Sequence, residues 1–97
     1  MSIKDRDAKK MIEEGLGSAG RLRILQALAS KEVASRTRYS LRQITGLKAE
    51  DVNKHLKVLV DTGWVKEHDY NPPVYTLNTD NPKTRILTEF FEKMGYL

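Results

Sequence analysis

Between Gly46 and Gly63 the sequence permits one helix and little else, and that helix has two unlike faces. Val52, Leu56 and Leu59 recur at helical spacing as one apolar stripe, while Glu50, Asn53, Lys54, Lys57 and Asp61 fall on the opposite side. A shorter helix is predicted just before it, over about 41–46. There Ser40-Leu41-Arg42-Gln43 has the spacing of a capping box and Gly46 supplies the C-terminal stop. Two short helices joined by Gly46-Leu47-Lys48 have the form of a helix-turn-helix.

The segments on either side limit the fold further. Trp64 to His68 and Val74 to Asn78 alternate like strands, and Asp69-Tyr70-Asn71-Pro72-Pro73 between them can only be a turn, so a hairpin follows the helix pair. Upstream, Ser18 is placed to cap a helix over about 19–30. Its wide apolar arc (Leu22, Ile24, Leu25, Leu28, Ala29) suits a central element. Residues 31–39 break that period, with a short strand expected near Arg38-Tyr39. A further helix is expected over 3–14, with Ile3, Ala8, Met11 and Ile12 as a weak apolar face. Asn81-Pro82 opens a last helix over about 82–95, in which Ile86, Leu87, Phe90, Phe91, Met94 and Leu97 share one arc. The expected class is mainly α with a small β-hairpin (α+β). A single domain spans 1–97, with a core at 18–78 and flanking helices in 1–17 and 79–97.

Charge is distributed unevenly. The chain of 97 residues has a formal net charge of +4, but residues 18–57 alone carry a net +6 while residues 58–97 carry a net −2. A surplus gathered in one stretch suits a polyanion-binding surface. The absence of cysteine excludes disulfides, thiolate metal sites and cysteine nucleophiles. No phosphate-cradling glycine loop, paired-histidine motif or nucleophile–base pair is present, so neither an enzyme nor a cofactor is expected. No apolar run approaches the roughly 20 residues of a membrane span. The charged start, Met1 to Asp5, lacks the apolar stretch of a signal peptide, so a cytoplasmic location is expected.

Arg23 to Ala29, Leu41 to Leu47 and above all Val52 to Val65, with His55-Leu56-Lys57-Val58-Leu59 and Gly63-Trp64-Val65, resemble winged-helix transcription regulators of the ArsR and MarR type. The resemblance covers roughly 20–78, and the overall look is similar to small archaeal regulators of this group. It implies sequence-specific binding of double-stranded DNA, with helix 49–62 in the major groove and the hairpin 64–78 as a wing. Carried over, the contact residues are Lys48, Ala49, Asn53, Lys54 and Lys57, with Arg42 on the preceding helix lying across the backbone. The chain departs from the pattern twice. Lys48 stands where a small hydroxyl residue is usual, and Glu50 and Asp51 occupy the first turn of the helix, where they suit the helix dipole but repel phosphate. The metal-sensing motifs of ArsR proteins need cysteines, so sensing of that kind is not implied.

The chemistry of these side chains agrees with that assignment. Arg38, Arg42, Lys48, Lys54 and Lys57 can neutralise phosphates, and Asn53 can pair with adenine at two points. Lys66 and Tyr70 belong to the wing, whose tip carries no Arg or Lys. The same outer face also reads as a solvated helix laced by Glu50–Lys54 and Lys57–Asp61 pairs at four-residue spacing. His55, one step off the core stripe, is expected to pack rather than ligate. On the last helix, Ile86, Leu87, Phe90, Phe91 and Met94 form a stripe wider than a small domain needs, which points to a homodimer. A protein-interaction module and a non-specific architectural DNA-binding protein are the competing functions.

Overall fold

The apolar stripes find one another around a single core. Ile24, Leu25, Leu41, Val52, Leu56, Leu59, Trp64, Tyr75, Leu87 and Phe91 are all buried in it. The computed structural model describes residues 11–30, 32–33 and 35–97. Four α-helices and a three-stranded antiparallel sheet lie among them, and no helix there is long and apolar enough to cross a membrane.

Helix α1 (Ala19–Leu28) begins where Ser18 leaves extended geometry and its hydroxyl accepts from the Arg21 amide at 3.2 Å. Ile24, Leu25, Ala27 and Leu28 are buried on it, and it packs against both following helices, as its wide apolar arc requires. Strand β1 is only Arg36–Thr37, and helix α2 (Arg38–Thr45) follows at once. Both the strand expected at Arg38-Tyr39 and the cap expected at Ser40 are therefore displaced toward the N-terminus. Thr37, not Ser40, is the cap: its hydroxyl accepts from the Ser40 amide at 3.1 Å, so residues 38–40 are drawn into the helix. Gly46, at φ 75°, ends α2 in the left-handed conformation that favours glycine.

Helix α3 (Ala49–Asp61) buries Val52, Leu56 and Leu59 and ends before Gly63, whose φ is 92°. Strands β2 (Val65–His68) and β3 (Val74–Leu77) form the expected hairpin, with Glu67 opposite Tyr75 and His68 opposite Val74. β3 also pairs with β1, Thr37 opposite Val74, so β3 is the middle strand. Helix α4 (Pro82–Lys93) has Asn81 as its cap, accepting from the Lys83 amide at 3.0 Å, and Pro82 at its first position.

The helix expected over 3–14 lies mostly outside the described residues. Its end, Met11–Gly15, is a single wide helical turn. Trp64 anchors this turn, donating its indole Nε1–H to the Met11 carbonyl at 2.8 Å. Gly15 lies so close to the ring that a Cβ there would stand 2.2 Å from Nε1.

Candidate nucleic-acid interface

A helix can present a reading surface only if its inner face is spoken for. On α3 the division is sharp: Val52, Leu56 and Leu59 are 0–1% exposed, while Asn53, Lys54 and Lys57 are exposed to solvent. No other part of the described chain covers that outer surface. Ala49, at the start of the helix, is exposed, and so is Lys48, which occupies the cap position without a side-chain capping bond. The capping hydroxyl that the resemblance leads one to expect is thus absent in effect as well as in sequence.

The cations at this surface fall into two groups. Arg42, Lys48 and Lys54 have no ion-pair partner among the described residues. Lys57 meets Asp61 at 3.4 Å across one helical turn, but both side chains are more than half exposed. Such a pair contributes about 0.2–0.5 kcal/mol and yields readily to a phosphate. Of the two intrahelical pairs anticipated, only this one forms.

Beside the wing, Lys66 on β2 and Arg38 at the start of α2 each face an acid. Lys66 pairs with Asp80 just beyond β3, and this contact holds the Asp80 carboxyl below its usual range. Arg38 lies over the Tyr75 ring, 5.3 Å from its centroid, with Nη2 3.9 Å from Glu67 Oε1. Tyr75, fully buried, donates its hydroxyl to that same oxygen at 2.9 Å. Burial, then the bond to Glu67, pushes the phenol up to about 12, so it remains a donor at any physiological pH. Tyr70 is exposed at the wing tip, stacked loosely on His68 at 6.4 Å.

Sequence reasoning placed Arg38 and Lys66 at the surface but missed Glu67, Tyr75 and Asp80. The signal for the first pair was the hairpin itself: a five-residue turn with His68 opposite Val74 sets Glu67 opposite Tyr75.

His55 packs as expected, half-buried with Nε2 against Gly20, where a Cβ would be 2.6 Å away. Desolvation first, then the charges of Arg21 and Lys54, lower its pKa, against a smaller opposing effect of Asp51.

The apolar stripe of α4 divides. Leu87 and Phe91 pack into the domain's own core, which corrects their assignment to a subunit interface, because one arc of the helix already serves the monomer. Ile86, Phe90 and Met94 remain 67%, 55% and 67% exposed, four residues apart along one side.

No protein-family model matches the sequence, and no curated protein matches it in sequence. Solved structures do match in fold. HlyU from Vibrio cholerae is 20% identical, with 97% of each chain covered and a TM-score of 0.79. The homodimeric winged helix-turn-helix DNA-binding domain of a possible ArsR-family regulator from Mycobacterium bovis is 19% identical, covering 97% of this chain and 88% of that one, with a TM-score of 0.71. The transcriptional repressor BigR from Xylella fastidiosa is 20% identical, covering 95% and 96%, with a TM-score of 0.69. These three organisms are bacteria and lend no support to the archaeal likeness. At these identities the agreement concerns architecture: over nearly its whole length, the chain has the winged helix-turn-helix fold.

Proposed function

We propose that the chain binds double-stranded DNA in a sequence-specific manner as a homodimeric transcription regulator, with α3 in the major groove and the β2–β3 hairpin as a wing. The observation that carries this reading is the uncovered outer face of α3, where Asn53, Lys54 and Lys57 stand exposed above a fully buried stripe. Lys48, Arg42 and Arg38 extend the cationic surface to the turn and to the start of α2, where they suit phosphates on either side of the groove. Asn53 supplies the base-reading group, and a bidentate pair with adenine provides about 1–3 kcal/mol of discrimination.

Two features support the homodimer. Ile86, Phe90 and Met94 leave an apolar strip in water that the domain itself does not cover. The Mycobacterium bovis domain of the same fold is described as homodimeric and DNA-binding. A two-fold pair would set two copies of α3 about 34 Å apart, one turn of duplex.

The test is a salt titration on random and selected duplexes. Each phosphate contact contributes about −0.9 to the slope of log affinity against log salt. A steep slope, with Asn53→Ala flattening the preference among sequences while sparing non-specific binding, supports the reading. A wild type that scarcely binds duplex would defeat it and leave the protein-interaction role.

A further inference from the structure

Arg38 is the one cation at the proposed interface whose position is set from two directions by another element. Its guanidinium lies 5.3 Å above the Tyr75 ring, and its Nη2 is 3.9 Å from Glu67 Oε1. Neither contact is a hydrogen bond, and its N–H groups make none among the described residues, so its fork of donors is uncommitted. Glu67, by contrast, is committed. The hydroxyl of fully buried Tyr75 holds Oε1 at 2.9 Å, and the β2–β3 register keeps the two residues opposite each other. A carboxylate tethered in this way cannot swing off into solvent when an anion approaches.

We propose that Glu67 is a built-in counter-ion that stays beside Arg38 and competes with a DNA phosphate for its charge, so that the wing sets how strongly the start of α2 grips the DNA backbone. The inference rests on the DNA-binding reading above. Arg38 and Glu67 have side chains 44% and 46% exposed, so solvent screens the pair and phosphate can reach the free side of the guanidinium. Glu67 therefore weakens the pull of Arg38 on phosphate without having to leave, and the pair acts as a damper rather than a block. The β1–β3 pairing brings the two residues together, since β1 ends at Thr37 and Arg38 emerges beside the wing.

The experiment is a double-mutant cycle on the full chain with duplex DNA across a salt series, using Glu67→Gln, Arg38→Ala and the combination. Glutamine keeps an oxygen for the Tyr75 hydroxyl, so the hairpin bond survives, and a melting curve on each variant checks the fold. Glu67→Gln is expected to raise affinity about threefold to fivefold, the scale of one exposed ion pair, and to steepen the log–log slope by about one contact. In the Arg38→Ala background the same change should give less than about twofold. An equal gain in both backgrounds would mean diffuse relief of charge and would overturn the proposal. Unchanged or lowered affinity in the single Glu67→Gln variant would overturn it too. If the wild type itself shows no salt-dependent binding, the DNA reading falls and this proposal with it. If the wild type binds while the cycle shows no coupling, only this proposal falls.

Discussion

The outer face of α3 and the wing carry the same kind of side chain under opposite conditions. On α3, Lys54 has no acidic partner among the described residues, and Lys57 has only a solvent-washed Asp61 one turn away. On the wing, Lys66 is taken by Asp80, and Arg38, leaning in from α2, faces a carboxylate tied down by a buried phenol. A helix places its charges by its own period and leaves them free. At the wing the acids come from outside the strand register: Lys66 stands opposite Thr76 and meets Asp80 past the end of β3, while Arg38 reaches Glu67 from the start of α2. The cation supply of the proposed interface is therefore concentrated on α3 and the turn before it, while the wing contributes shape and restraint.

That contrast can be broken at several strengths. The largest effect belongs to the inner stripe that holds α3 in place: Leu56→Ala should cost about 2–5 kcal/mol of stability, whereas Lys54→Ala should leave the melting curve unchanged. Equal effects would mean that the two faces are not distinct. Next, Lys54→Ala with Lys57→Ala should weaken duplex binding by about 3 kcal/mol, roughly 100-fold, as two charge-assisted contacts are lost. Lys66→Ala should fall well short of that in the same assay, because its charge is already engaged. A loss as large as that of the α3 pair would erase the contrast.

A smaller change separates stability from binding at one residue. Lys48→Ser supplies the missing cap hydroxyl and should raise stability by about 1 kcal/mol while removing about one contact from the salt slope. A thermal melt and a salt titration on the same preparation read both. The smallest effect is that of His55. Its pKa is lowered in the folded chain, so the unfolded chain binds the proton more readily in the window between that lowered value and 6.5. Its contribution to stability is complete above 6.5 and declines as pH falls through the window. Melting temperature followed across that range should slope downward toward acid in the wild type and less so in His55→Gln. Parallel curves would refute the assignment.

How much of this was legible beforehand depends on how far apart the interacting residues lie along the chain. The caps at Ser18 and Asn81, the stops at Gly46 and Gly63 and the two faces of α3 are local, and the structure agrees with each. The start of α2 was misplaced because Thr37 and Ser40 are both competent caps. The choice went to Thr37, whose strand pairing with Val74 already fixes it in extended geometry. β1, at two residues, is too short to show any period and exists because β3 offers it an edge. On α4 the six apolar residues read as one arc, and nothing local says where the monomer's core ends. Leu87 and Phe91 lie inside it and Ile86, Phe90 and Met94 outside only because of how the helix is rolled against the rest. The wing's ion pairs were invisible for the same reason.

The central place of β3 has one more consequence. Because β3 is bonded on one edge to β2 and on the other to the strand that runs straight into α2, the hairpin is riveted to the helix pair rather than hinged on it. The wing, at Val74, is thereby tied to the strand that opens α2, much as a jaw is tied to its frame. If the chain binds duplex as proposed, sequences that bend or narrow easily should be favoured even at base pairs that no side chain touches.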